Sequence, residues 1–222
     1  YKRAGGKPTI ITRRADEGEK LTTLDGHELT LTSETELVTD TAGPLSLAGV
    51  MGGLESGIAS HTSRVLLEAA SWNFINIRKT SGRYRINSEA SYRFSRDVHP
   101  ALAEQGLSLC LQRMQVWAGG DVVGGVIDQY PLKREDTINS LTEDEIERLL
   151  GLHIDLEEAK EILERLGFTC AIEKDVLRAT TPRNRTDIEP DSIYGKANLI
   201  EEISRIYGYD RIPSRRLTGE LP

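Results

Sequence analysis

Cysteines and aromatic residues are scarce in this chain of 222 residues. Aromatic residues make up only 5% of the sequence, and the two cysteines, Cys110 and Cys170, lie 60 positions apart. That spacing does not fit a zinc site, and a single distant pair is weak support for a disulfide. Cys110 stands in the apolar run LSLCLQRM, so we expect a buried free thiol there. This cysteine usage favours a reducing compartment.

The sequence also lacks a long apolar run and a leader. No apolar stretch approaches the roughly 18 residues that a membrane helix needs, so we expect a soluble protein with no membrane partner. The chain begins at Tyr1 without a charged-then-apolar segment, which we interpret as a cut within a larger protein. The histidines have neither Ser/His/Asp nor metal-ligand spacing, and we predict no catalytic role for His27, His61, His99 and His153.

Negative charge is concentrated in one part of the chain. The net charge is −7, and residues 133–212 carry 12 Lys and Arg against 19 Asp and Glu, whereas residues 1–132 are close to neutral. Affinity for nucleic acid depends on basic side chains that neutralise phosphates. If RNA is bound, the first part is therefore the better candidate.

The pattern along the chain indicates two modules and a linker. A proline and a charge run at residues 130–136 predict a boundary, with a mixed α/β to α+β module over residues 1–132 and a small α+β module over 133–213. A linker then covers residues 214–222. In the first module we expect a hairpin at Asp25-Gly26, and we also expect strands at 9–12, 45–50 and 65–67 and a mostly buried helix at 99–117.

Helix-capping patterns dominate the second module. Thr142 followed by Glu145 is a capping box, and Asp155 followed by Glu158 predicts a second helix start. Two strands are expected around Lys174-Asp175, and a final helix is expected over residues 198–207. Two helices, a hairpin and a further helix favour a winged-helix-like fold.

Three groups of residues are candidates for chemistry. The glycine-rich loop at residues 48–53 lets a backbone approach a ligand, although an ordinary tight turn is the simpler explanation. Glu68 lies in the apolar run VLLEAA, so we expect it to be at least partly buried and either functional or paired with an arginine. Carboxylates gather near Arg183 and Arg185, where hard oxygen ligands would suit magnesium and surface ion pairs would serve as well.

The segment from 78 to 96 interleaves basic and aromatic residues. Such a pattern can bind single-stranded nucleic acid, and a solvated charged face is the simpler explanation. The members are Arg78, Lys79, Arg83, Arg85, Arg93 and Arg96, with Tyr84, Tyr92 and Phe94 among them.

Seven stretches in this order resemble the beta subunit of bacterial phenylalanine–tRNA ligases. They are TLDG, GPLSLAGVMGG, VLLEAA, IRKTSGRYRINSEASYRF, RLLGLHIDLEEAKEILERLGF, PRNRTDI and NLIEEISRIYGYDRIP. The resemblance implies a tRNA-editing module over residues 1–132 and a winged-helix-like module, of a fold seen in DNA-binding proteins, over residues 133–213. It also implies hydrolysis of tyrosine wrongly attached to tRNA(Phe).

The resemblance also assigns residues. Glu68 matches the glutamate that recognises the tyrosine hydroxyl, and Ala48, Gly52 and Ala90 match positions that line the editing pocket. No catalytic side chain is identified, so a positioned water aided by the terminal hydroxyls of the tRNA is expected to attack. Asp187, Glu201 and Glu202 match residues associated with a magnesium ion. Asn198 stands where the family commonly has an aspartate, and Ser95, Asp97 and His99 also depart from the common residues.

The implied partners are those of the family. Its enzymes are cytoplasmic heterotetramers of two alpha and two beta subunits that act on tRNA(Phe), and the alpha subunit holds the site that activates phenylalanine with ATP. The magnesium ion is shared with that subunit, and the chain by itself is not expected to be a ligase. Three alternatives are a free-standing hydrolase that edits in trans, a winged-helix nucleic-acid-binding protein, and a scaffold with a silent editing pocket.

Overall fold

The structure is a computed structural model that describes residues 9–214. The chain divides into two compact units between Lys133 and Arg134. Apart from Ser214, the expected linker lies outside the described residues. No helix within residues 9–214 is both long and apolar enough to cross a membrane.

The first unit is built on a four-stranded antiparallel sheet in the order β1-β4-β5-β6. These strands are β1 (Ile11–Arg14), β4 (Glu36–Asp40), β5 (Gly43–Leu47) and β6 (Met51–Gly52). Its central strand β4 buries Leu37, Val38 and Thr39, since a strand flanked on both edges can place apolar residues against the core. A separate hairpin pairs β2 (Lys20–Thr22) with β3 (Glu28–Thr30), which confirms the hairpin predicted from Asp25-Gly26.

Three helices follow the sheet: α1 (Phe74–Tyr84), α2 (Glu89–Phe94) and α3 (Leu102–Ala118). Helix α1 begins at Asn73, whose side-chain oxygen accepts hydrogen bonds from the backbone amides of Ile75 and Asn76. Its buried Ile77 joins the core of the unit, which includes Leu21, Leu31, Leu37, Leu47, Val50 and Ile86. The sequence patterns predicted neither α1 nor α2.

Within residues 134–214 the second unit contains three α-helices and a three-stranded antiparallel sheet in the order β7-β9-β8. The strands are β7 (Ile138–Leu141), β8 (Thr169–Glu173) and β9 (Val176–Thr180), and the helices are α4 (Glu143–Leu150), α5 (Leu156–Arg165) and α6 (Ile193–Tyr207). Both predicted capping patterns are confirmed, because Thr142 and Glu145 cap each other and Asp155 accepts from the amide of Glu158. The mixed α/β class is confirmed as well.

Helix α6 packs closely on the loop that precedes it. Gly195 leaves no room for a side chain, because the carbonyl of Glu189 and the side chain of Asn139 occupy that space. Asn139 is fully buried and donates a hydrogen bond of 3.0 Å to the same carbonyl. The helix begins at Ile193, after the cap Ser192, and not at residue 198 as predicted. Glycine and asparagine near its start disguised the helical pattern.

Several expectations for the first unit are wrong. Residues 65–67 form no strand, and α3 has no buried residue although its composition is apolar. Cys110, which lies on α3, is exposed. The periodicity of a sequence shows only which residues are apolar. An apolar helix has the same pattern whether or not other elements cover it. Cys170 is half-buried, and burial raises the pKa of its thiol to about 11.

Candidate functional site

The turn after β5 is shaped by two glycines. Gly49 has a φ of +64°, a left-handed conformation that favours glycine, and a Cβ there would lie 2.5 Å from the Trp72 side chain. Gly53 is buried, and a Cβ would meet the carbonyl oxygen of Leu45 at 2.6 Å. The loop therefore needs glycine at both positions, and close packing explains them before any ligand is considered.

The pocket residues predicted in this loop differ in accessibility. Ala48 is 1% exposed, so its methyl group lies beneath the surface. Gly52 is half-buried in β6, and a Cβ at Gly52 would lie 2.8 Å from the end of the Leu24 side chain. A larger residue at 52 would have to displace Leu24, which is itself more than half exposed.

Helix α2 is fastened to this loop by its cap. The hydroxyl of Ser88 donates a hydrogen bond of 2.6 Å to the carbonyl of Val50, and it accepts one of 3.0 Å from the amide of Ser91. Ala90, which is half-buried in the first turn of α2, is thereby held near residues 48–52. Ser88 and Trp72 were not predicted; a serine three residues before another serine is not the usual capping signature.

Glu68 lies in the irregular segment between β6 and α1. The residue as a whole is exposed. Desolvation nevertheless raises the pKa of its carboxyl. The carboxyl group is therefore partly buried, as expected. Within residues 9–214 it makes neither a hydrogen bond nor an ion pair, and the arginine partner considered from the sequence is not there.

The acidic residues of the second unit are held by arginines. The Arg185 guanidinium donates to both carboxylate oxygens of Asp187, at 2.9 and 2.7 Å, and to Glu202 at 2.8 Å. Hydrogen bonds from Arg185 lower the pKa of Asp187. Burial raises the pKa of Glu202, but hydrogen bonds from Arg205 and Arg185 outweigh that effect and leave it lowered.

This arrangement does not fit a magnesium ion. Arg185 occupies the space between two of the predicted ligands, and Asn198 turns its amide nitrogen to the backbone carbonyl of Asp187 at 3.2 Å. Glu201 is exposed on α6. No group of three potential ligands is suitably placed for a metal anywhere within residues 9–214. The ion pairs that the sequence left as an alternative are the observed arrangement.

Two known domain families match the chain. The B3/4 domain family matches residues 2–119, and the tRNA synthetase B5 domain family matches residues 140–209. The first match covers more than half of the chain, and each match falls largely within one of the two units.

Curated relatives match nearly the whole chain. Those from Clostridium acetobutylicum and Bacillus licheniformis are both 39% identical, over 95% and 96% of this chain, and each is described as a phenylalanine–tRNA ligase beta subunit. The beta subunit from Streptococcus pneumoniae is 40% identical over 92% of the chain. The chain spans about a quarter of the length of these relatives, at 26%, 26% and 25% respectively.

A solved structure also resembles the chain. It is an N-terminal fragment of the phenylalanyl-tRNA synthetase beta subunit from Pyrococcus horikoshii, with 18% identity and a TM-score of 0.46, over 91% of this chain and 57% of that one.

Proposed function

The chain belongs to the B3/4 domain family, and on that premise we propose that it is part of the beta subunit of a phenylalanine–tRNA ligase. Its first unit hydrolyses tyrosine wrongly attached to tRNA(Phe). The relatives' descriptions and the two domain matches support the subunit, and the chemistry of Glu68 supports the editing step.

The carrying observation is the unpaired carboxyl of Glu68. It is open to solvent, it has a raised pKa, and no arginine neutralises it within the described residues. A carboxylate that is partly stripped of water gains more from a new hydrogen bond than a fully hydrated one does. The phenol of tyrosine can supply that bond, whereas phenylalanine would leave the carboxylate unpaired.

The editing step answers a specificity problem. Phenylalanine and tyrosine differ by one hydroxyl group, and a mainly apolar synthetic site cannot strongly reject an added hydroxyl. A second site that recognises the hydroxyl removes the error. Ala90 is half-buried beside the loop and has no side chain beyond Cβ, so it leaves space for the aminoacyl group. Ala48 lies beneath the surface, and an aminoacyl group at Gly52 would have to displace the exposed Leu24 side chain.

No protein nucleophile is assigned. We propose that a water molecule attacks the ester carbonyl, aided by a terminal hydroxyl of the tRNA. The chain's own contribution is to hold the tyrosyl ring through Glu68 and the small residues of the loop.

The remaining roles belong to the assembled enzyme. We propose that it is a cytoplasmic assembly of two alpha and two beta subunits, in which the alpha subunit uses ATP and magnesium to charge tRNA(Phe). The second unit is winged-helix-like and contacts the alpha subunit. We propose no magnesium bound by Asp187, Glu201 and Glu202 while Arg185 holds Asp187 and Glu202.

Deacylation by the complete enzyme tests this function. Glu68→Gln replaces a charged hydrogen-bond acceptor with a neutral one, a loss of about 1 kcal/mol, which should slow hydrolysis of Tyr-tRNA(Phe) by about fivefold. Charging of tRNA with phenylalanine should hardly change. Glu28→Gln is the control, because Glu28 is an exposed carboxylate of the same unit that makes no ion pair within residues 9–214. A folded Glu68→Gln enzyme that still clears Tyr-tRNA(Phe) at the parental rate would exclude the role.

A further inference from the structure

A basic surface in the first unit is not used by the proposed hydrolysis. Residues 74–96, which span α1 and α2, carry six basic residues and one acidic residue, although the chain as a whole has a net charge of −7. Such local concentration of one sign creates a field that attracts polyanions.

The solvent face of α1 forms half of this surface. Ile75, Arg78, Lys79 and Gly82 are three or four positions apart, so they share one face of the helix, and all four are exposed. Gly82 has open space where a Cβ would be, so no packing contact requires a glycine there. The helix therefore presents bare backbone between basic side chains, which permits a ligand to approach closely.

Two of the positive charges on this surface are not neutralised within residues 9–214. Arg83 and Arg93 pair with Glu34 and Glu89. By contrast, Lys79 and Arg85 make no side-chain hydrogen bond or ion pair within residues 9–214, and both are exposed. Arg85 follows directly after α1 as its left-handed C-cap residue, so it adds a charge at the end of the helix.

Helix α2 supplies the other half, a stacked pair of planar groups. The Arg96 guanidinium lies 3.7 Å from the centre of the Tyr92 ring, and Tyr92 is 60% exposed. Arg78 joins the two halves, because its Nε donates a hydrogen bond of 2.9 Å to the carbonyl of Ser95 at the end of α2. The Arg78 guanidinium also lies 5.0 Å from the centre of the Phe74 ring.

We propose that this surface binds the single-stranded 3′ end of an RNA. Unstacked bases stack on aromatic rings and guanidinium planes, which Tyr92 and Arg96 offer, while Lys79 and Arg85 neutralise phosphates. An acidic protein could pair with the basic side chains, but it has no bases to stack on Tyr92 and Arg96. The bases of a duplex already stack on one another and cannot reach this pair. The assignment rests on the proposed function, in which the aminoacylated end of tRNA(Phe) must reach the first unit.

The charge contribution is tested with matched variants of the 222-residue chain. Lys79→Gln/Arg85→Asn removes two charges from the surface, and asparagine tolerates the left-handed conformation of Arg85, whose φ is +57°. The control is Lys20→Gln/Lys174→Asn, which removes the same charge elsewhere and includes the left-handed Lys174, with a φ of +49°. Both variants therefore have the same net charge.

Binding is measured by fluorescence anisotropy of a labelled, uncharged RNA hairpin with a short single-stranded 3′ end. Each phosphate contact on a single strand releases about 0.7 counterion when it forms. The surface variant loses two such contacts, so it should bind roughly 25-fold more weakly at about 0.1 M salt. The slope of log affinity against log salt should become less negative by about 1.4. The control should bind like the parent.

The stacking contribution is tested separately. Tyr92→Ala should weaken binding by at least about fivefold, the lower range for one stacked base, whereas Tyr92→Phe keeps the ring and should bind normally. Circular dichroism confirms that each variant is folded.

Equal binding by the surface variant and the control variant would overturn the proposal. So would a parent chain that binds a blunt duplex as tightly as the overhang RNA. Displacement of the bound probe by polyglutamate as readily as by unlabelled overhang RNA would also overturn it. Because the probe carries no amino acid, these outcomes are independent of Glu68. A failed deacylation test with intact RNA binding would remove the hydrolase and leave the RNA surface standing.

Discussion

Glu68 combines an accessible carboxyl with a raised pKa, and this has a consequence for stability. The folded chain holds this proton more tightly than the unfolded chain, so stability falls as pH rises from the unfolded pKa towards the raised folded one. We predict that Glu68→Gln melts at a higher temperature than the parent at neutral pH. The difference should vanish below about pH 4, where the carboxyl is protonated in both states.

A melting-temperature series against pH measures this effect, with Glu28→Gln as the comparison. A stabilisation by Glu68→Gln that persists unchanged in acid would contradict the desolvation of Glu68. The same titration should affect function: recognition of tyrosine by an ionised carboxylate should weaken as pH falls through the raised pKa.

Arg185 gives the second prediction at the scale of single residues. Replacing it with alanine leaves Asp187 and the mostly buried Glu202 without a shared partner, so the second unit should lose about 1–3 kcal/mol, between the values for surface and buried pairs. Magnesium should not raise the melting temperature of the parent, because Arg185 already binds both carboxylates. In Arg185→Ala, magnesium should raise it.

Calorimetry with and without magnesium distinguishes these states. Lys174→Asn is a control for removal of one exposed charge in the same unit, since asparagine tolerates the left-handed conformation of Lys174. If millimolar magnesium stabilises the parent chain, the metal displaces Arg185 from Asp187 and Glu202, and the prediction is wrong.

Individual residues were predictable to different degrees. The run VLLEAA predicted partial burial of Glu68, which agrees with its raised pKa, but the run did not reveal that this segment joins neither a strand nor a helix. Ordered stretches such as GPLSLAGVMGG identified the family, because a set of short matches in fixed order is far more specific than any one of them. Ion pairs with Arg185 were one of the alternatives from the sequence, but the bridging of both Asp187 and Glu202 by this one arginine could not be foreseen, since sequence spacing does not give side-chain direction.

Helix α1 provides a prediction at the scale of an element. Gly82→Ala fills open space on an exposed helical face, so it should stabilise the first unit by about 1 kcal/mol. Gly49→Ala should do the reverse, because its φ is +64° and the new Cβ would collide with Trp72.

Urea denaturation of both variants measures the two effects. If Gly82→Ala stabilises the chain and also weakens binding of the overhang RNA, the glycine serves close approach of the ligand. If both variants destabilise the chain equally, the open space at Gly82 does not exist in solution.

The elements that were predicted correctly have signals in neighbouring residues. The hairpin at Asp25-Gly26 and the caps at Thr142 and Asp155 depend on residues within four positions of each other. Helices α1 and α2 were missed, because their caps, Asn73 and Ser88, lack the familiar acidic partner three residues later. The exposure of α3 depends on which other elements contact it, which no local pattern reports.

At the scale of the whole molecule, we assign the activation of phenylalanine with ATP to the alpha subunit and not to this chain. The sequence contains neither a Gly-Lys-Ser/Thr phosphate loop nor a GxGxxG motif. We therefore predict that the 222-residue chain does not activate phenylalanine. Pyrophosphate exchange into ATP, measured with the chain alone and after addition of an alpha subunit, tests this; exchange by the chain alone would refute it.

The two thiols differ in a way that offers an experimental handle. Cys110 is exposed on α3, while Cys170 is half-buried and the pKa of its thiol is raised to about 11. Because the thiolate is the reactive species, a maleimide at neutral pH should modify the unaltered chain mainly at one position. A single fluorophore on the first unit would then be obtained without mutagenesis, and energy transfer from it to a dye on an RNA would report how closely the two approach.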